Sequence, residues 1–276
     1  MYSRVLVLSL LALLGVFTIR GAAQTGKAPL KVAMLIPIEP WDRKAGLEAW
    51  RKWLEDHYRV EITWVEPAKP LPAKDATKEE VKAYYANPPR LVDLDKALKA
   101  DVVFTALTHV TLNEKDSVEV LRLLTSKPVV GGRRSHHGTT FRLPKGEKIP
   151  GIENVGKYGD AIFGGGYAGH LGGTQQFKEG QRDHPIIKDL PDLVKFSLYD
   201  RGYKHKIVAD EEVTVLIEMK ETKDPQTWCR VNKSTKQRTF YTVHDPVDIE
   251  KHDSVRIMLT RALFWACEKT ETAYKK

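Results

Sequence analysis

Beyond an apolar run over residues 5–17, the chain alternates short, continuous hydrophobic stretches with longer amphipathic ones. KVAMLIPI, residues 31–38, reads as a buried first strand. Leu47, Trp50 and Leu54 then recur at helical spacing, which predicts a helix over 42–56. VEITWV, 60–65, is a second strand. The proline-rich stretch 66–89 reads as surface chain around one short helix at 78–86. ADVVFTAL, 100–107, is a third strand, followed by a helix capped by Asn113 that runs to 125. PVVGG, 128–132, is the fourth. VKFSLYD, VTVLIEM and RTFYTV are strand candidates in the second half, with VNKSTKQR a hairpin turn between the last pair. A final helix over 249–268 carries Val255, Met258, Leu259, Ala262, Leu263 and Ala266 as its buried stripe.

Strands separated by helices of this length predict an α/β fold. It is a doubly wound, mainly parallel sheet with helices on both faces, and ligands sit beyond the carboxyl ends of its strands. The segments placed there are 39–41, 108–109 and 133–140. The last of them, within GGRRSHHGTT, sets Arg133, Arg134, Ser135, His136 and His137 directly after a buried strand. A glycine-rich stretch, FGGGYAGHLGG, follows at 163–173.

The apolar N-terminal run adds an address. Arg4 precedes it and Gly21-Ala22-Ala23 follows, which reads as a signal peptide over 1–23 cleaved before Gln24. At 13 residues the run falls short of the roughly 20 that span a bilayer. An uncleaved anchor is the alternative. The expected destination is a periplasm or the exterior, with residues 24–276 forming a single domain and no stable membrane span after cleavage. The 44 Lys and Arg against 36 Asp and Glu give +8, and loss of Arg4 and Arg20 leaves 8 − 2 = +6. Basic and acidic residues are interspersed and no nucleic-acid motif is present, so a nucleic-acid partner is not expected. Cys229 and Cys267 fix no disulfide framework.

The Gly164-Gly165-Gly166 stretch matches neither a P-loop nor a dinucleotide fingerprint, because Tyr167 stands where the latter wants glycine. Close backbone approach, to a ligand or to a neighbouring segment, is its expected use. Ser135 lacks the flanking glycines of a nucleophile elbow. His136, His170, His109 and His244 lie at strand ends or in glycine-rich turns, where one or more could ligate zinc or another divalent metal. Surface or hydrogen-bonded histidines are the plainer alternative.

Read in order, KPVVGGRRSHHG, FGGGYAGHLGG, DHPIIKDLP, FSLYDR, RTFYTVHDP and MLTRALFWACEK resemble the trehalose-utilisation (ThuA-like) family over roughly residues 30–270. The resemblance implies a class I glutamine amidotransferase-like, flavodoxin-like fold without the amidotransferase cysteine. It implies a role in the catabolism of disaccharides and related sugars through keto-sugar intermediates. His136, Gly165, Tyr167, His170, His184, Tyr241 and Thr242 match its motifs, and His244 matches across a gap. On this reading His136 and His170 act as general bases or metal ligands, and Glu39 assists as acid or base. Arg133 and Arg134 neutralise developing negative charge. Tyr167 contacts a sugar ring, with His137, Gly165, Tyr241 and His244 completing the substrate site. The alternative is a carbohydrate-binding or assembly module, or a homo-oligomer subunit, that kept the fold without chemistry.

Overall fold

The computed structural model describes residues 28–36, 43–70, 72, 75–108, 110–190, 201–244, 249 and 252–276. The expected signal segment, Glu39, His109 and the strand candidate at 194–200 lie outside them. The chain runs β1 (Leu30–Leu35), α1 (Arg43–His57), β2 (Val60–Val65), α2 (Lys78–Ala86), α3 (Leu94–Ala97), β3 (Val102–Thr105), β4 (Val110–Thr111), α4 (Glu114–Ser126), β5 (Val129–Gly131) and β6 (Thr139–Thr140). It continues α5 (Tyr158–Phe163), β7 (Gly165–Gly172), β8 (Gln175–Phe177), β9 (Arg201–Ile207), β10 (Val213–Met219), β11 (Pro225–Val231), β12 (Arg238–Thr242) and α6 (Asp253–Ala266).

Among the described residues, eight strands form one sheet in the order β2-β1-β3-β5-β12-β11-β10-β8. The pairings from β2 to β12 are parallel, and those onward to β8 are antiparallel. Alternation along the strands divides the core in two. Leu30, Val32 and Met34 of β1 join α1 and α6 on one face, while Ala33 and Leu35 join α3, α4 and α5 on the other. Both faces are therefore covered by helices, and this is the expected doubly wound architecture.

Local signals explain the helices. The Thr77 hydroxyl accepts from the Glu80 amide and the Glu80 carboxylate accepts from the Thr77 amide, so α2 starts in a capping box. Asn113 Oδ1 accepts from the Asp116 amide at 2.9 Å and caps α4. Leu47, Trp50 and Leu54 of α1 are fully buried, and the Trp50 indole donates to Thr260 Oγ1 of α6 at 3.1 Å. The six predicted stripe residues of α6 are buried; each such side chain stabilises by about 1.5–3 kcal/mol, less for the alanines.

Two stretches differ from the expectation. A strand, β11, stands between VTVLIEM and RTFYTV, so the turn over 232–237 joins β11 to β12. Its hydrophobic signal is weak because Gln226, Thr227 and Arg230 are buried there with polar partners. The glycine-rich stretch forms β7, which pairs with β9 in a separate two-stranded ribbon. Among the described residues no helix is long and apolar enough to cross a membrane.

Candidate functional site

The turn after β5 carries the densest polar sequence to the carboxyl end of the parallel strands. It is pinned on both sides. The Gly132 amide donates to Thr105 O of β3 at 3.0 Å, and the Arg133 amide donates to His244 O beyond β12 at 3.2 Å. Arg134 holds φ 61°, a left-handed conformation that a side chain rarely adopts. The chain then reverses, with Ser135 N bonded to Gly132 O and His137 N bonded to Arg134 O. Underneath, Gly159 near the start of α5 lies so close that a Cβ there would fall 2.2 Å from the His136 carbonyl. Glycine lets this helix abut the turn.

The β7–β9 ribbon supplies the other wall. Along β9, Tyr203 and His205 are buried while Lys204 and Lys206 are exposed, the period of a strand with one covered face. Tyr167 pairs with His205 and His170 pairs with Tyr203, although Tyr167 and His170 are three positions apart. A regular strand would point those two side chains to opposite faces. One extra residue, Ala168, breaks the register between Tyr167 and Gly169 and brings both onto the face of Tyr203 and His205. The Tyr167 hydroxyl and His170 Nδ1 consequently share a hydrogen bond of 2.7 Å.

Turn and ribbon meet in a continuous set of rings. Tyr167, 36% exposed, stacks on His137 with centroids 4.3 Å apart and planes 12° from parallel. His137 meets His136 at 4.5 Å, and their Nδ1 atoms lie 3.4 Å apart in a long hydrogen bond. His136 is buried edge-on against Tyr241 at 4.2 Å and lies 5.0 Å from His205, which packs on Trp228. The Tyr203 hydroxyl accepts from Arg133 Nε at 2.9 Å and from Arg134 Nε at 3.2 Å.

Burial governs the electrostatics. Removal from water holds His136 well below the usual histidine range, and neighbouring His205 and His137 push in the same direction. His205 is lowered to about 4, chiefly by burial, against the opposing effect of its bond to Pro225 O. Both imidazoles are neutral at pH 7. Burial also raises Tyr241 well above its ordinary value and raises Tyr167. Among the described residues, His136 Nε2, His205 Nε2 and Ser135 Oγ have no hydrogen-bond partner although each is buried. An unmet buried polar atom of this kind costs about 1–3 kcal/mol.

Of the residues singled out by sequence, Arg133, Arg134, His136, His137, Tyr167, His170 and Tyr241 belong to this one network. His136 and His170 occupy its two ends, one buried and one exposed. Among the described residues, no group of three or more His, Cys, Asp and Glu side chains is placed to hold a metal ion. Gly165 serves close packing, since a Cβ there would lie 2.8 Å from Ile207 Cδ1 of β9. His244 is buried beyond β12, and Glu39 lies outside the described residues. His184 packs in its turn, with Nδ1 accepting from the Ile186 amide at 3.3 Å and Nε2 3.6 Å from Cys229 Sγ. Both cysteines are free.

Tyr203, His205 and Trp228 were not apparent as site residues from sequence. The period-two pattern of Tyr203-Lys204-His205-Lys206 is the signal that marks the first two. A cavity of about 830 Å³ lined by Lys148, Glu153, Asn154, Lys157 and Asp160, among others, contains none of the clustered rings.

The fold is similar to that of a ThuA-like protein from Bacteroides uniformis. The two share 14% identity and a TM-score of 0.53 over 89% of this chain and 94% of that one. A ThuA-like protein from Parabacteroides merdae shares 14% identity with a TM-score of 0.48, over 88% of this chain and 91% of that one. No family model matches the chain, and no curated protein matches it in sequence. At the level of fold the chain is ThuA-like: a flavodoxin-like α/β sheet covered on both faces.

Proposed function

We propose that this is an exported protein that binds a sugar or an oxidised (keto) glycoside at the carboxyl edge of its sheet and catalyses proton transfer on it. The carrying observation is the ordered run from exposed Tyr167 through His137 to buried, neutral His136, beside two arginines gathered on Tyr203. Each part has a chemical use. Tyr167 offers an exposed aromatic surface and a hydroxyl to a sugar ring. A neutral imidazole accepts a proton from a hydroxyl or from carbon next to a carbonyl. Arg133 and Arg134 lie where negative charge developing on a ligand oxygen would be stabilised. Export rests on the N-terminal sequence, and N-terminal sequencing of protein recovered outside the cytoplasm should begin at Gln24.

Calorimetric titration with trehalose and with its keto derivative tests the reading. Wild type should bind at least one of them, and Tyr167→Ala should weaken binding by about tenfold or more, equivalent to roughly 1.4 kcal/mol. His136→Ala should lower turnover of the bound sugar by about a hundredfold or more. Failure of both sugars to bind would reject the reading. The second reading, binding without turnover, is supported by the burial of His136 beneath Tyr241. It requires His136→Ala to bind sugar as wild type does, with neither protein consuming it.

A further inference from the structure

His205 is the clustered ring whose tautomer the structure fixes. Its Nδ1 lies 2.6 Å from the Pro225 carbonyl oxygen. A carbonyl only accepts, so Nδ1 carries the proton and Nε2 is left with a bare lone pair. That lone pair is buried without a partner among the described residues, as is Nε2 of His136 in the ring 5.0 Å away. Tyr167 stands on the same face of the ribbon as His205, directly opposite it in the ladder. The surroundings select what could meet the lone pair. An anion is repelled by it, whereas a hydrogen-bond donor is attracted. A neutral O–H donor fits.

We propose that His205 is a ligand-binding residue of this site, its Nε2 accepting a hydrogen bond from a hydroxyl of the sugar that Tyr167 contacts at the rim. The inference rests on the sugar reading above and adds to it a specific acceptor on the inner side of the ring cluster, beside His136 and Tyr203. It makes the site selective for ligands with a hydroxyl at the position that enters, since a deoxy analogue leaves the lone pair unmet.

Two near-isosteric variants separate the ring's duties. His205→Asn keeps a donor near the place of Nδ1 for Pro225 and removes Nε2, whereas His205→Gln extends an amide to the place of Nε2. Calorimetry with trehalose and its keto derivative, alongside thermal melts, should show His205→Asn melting close to wild type but binding about tenfold or more weakly. His205→Gln should recover most of the lost affinity. Equal binding by wild type and His205→Asn would overturn the inference and leave the sugar reading standing. Absence of binding by wild type would overturn both. Should His205→Asn fail to fold, imidazole ¹⁵N resonances of wild type decide the matter: the His205 Nε2 signal should move on addition of the bound sugar, and an unmoved signal would overturn the proposal.

Discussion

Tyr167 and His170 hydrogen-bond to each other across 2.7 Å on one face of β7 although they are three residues apart in a strand. The extra residue Ala168 makes this geometry, and Gly169 completes it at φ 143°, where an L side chain is strained. Gly169→Val should therefore collapse the bulge and turn His170 away from Tyr167. The ribbon lies outside the main sheet, so the expected result is a sugar affinity reduced about tenfold or more with a small change in melting temperature. Calorimetry and a thermal melt on the same preparation check it. Wild-type affinity in this variant would mean that the pairing of Tyr167 with His170 is incidental.

The floor of the His136 turn makes a stability prediction. In Gly159→Ala the new methyl would lie 2.2 Å from the His136 carbonyl oxygen, a backbone atom that cannot swing aside as a side chain can. Relief requires α5 or the turn to shift, which should cost about 1–3 kcal/mol as overpacking does. Urea unfolding measures the loss, and the variant should also lose sugar binding because His136 and His137 ride on the displaced turn.

Acid should destabilise the protein through its buried imidazoles. His136 and His205 are both held below the ordinary histidine value of 6.5 in the folded state. In the unfolded chain they take up protons as pH falls through about 6.5, while folded His205 resists down to about 4. The unfolded state then binds more protons, so stability falls as pH drops across that window and is unaffected by these groups above it. His205 alone should account for about 3 kcal/mol between neutrality and pH 4. Urea midpoints at pH 7 and pH 4.5 should differ more for wild type than for His205→Asn; an equal difference would contradict the assignment.

The thiols should be inert in the native protein. Burial raises both Cys229 and Cys267 to about 12, which leaves little thiolate at pH 8. Iodoacetamide should label neither at an appreciable rate until denaturant is added. Mass spectrometry of labelled, folded protein reads the outcome directly.

Much of the fold was legible because its helices and parallel strands obey simple periodicities. Leu47, Trp50 and Leu54 of α1, the Asn113 cap and the six-residue stripe of α6 all stand where hydrophobic spacing and capping chemistry predict. β11 was hidden because its buried positions include Gln226, Thr227 and Arg230, whose cost is met by hydrogen bonds that no hydrophobic pattern displays. Glycine obscured β7 in the same way, since a stretch without bulky side chains shows no period even where its backbone is paired. The site divides likewise. His136, His137, Tyr167 and His170 were conspicuous in dense polar motifs, whereas Tyr203 and His205 sit in a strand punctuated by lysines. Their membership depends on long-range pairing, Tyr203 with His170 and His205 with Tyr167, and on the contact of His205 with His136.

The most direct test of the central claim is a titration of trehalose and its keto derivative followed by the imidazole resonances of the protein. His136, His137 and His170 should shift together and saturably. His57 at the end of α1 and His184 in its turn against Cys229 serve as internal references and should stay in place. Shifts confined to His57 or His184, or none at any imidazole, would contradict a sugar site at the carboxyl edge of this sheet.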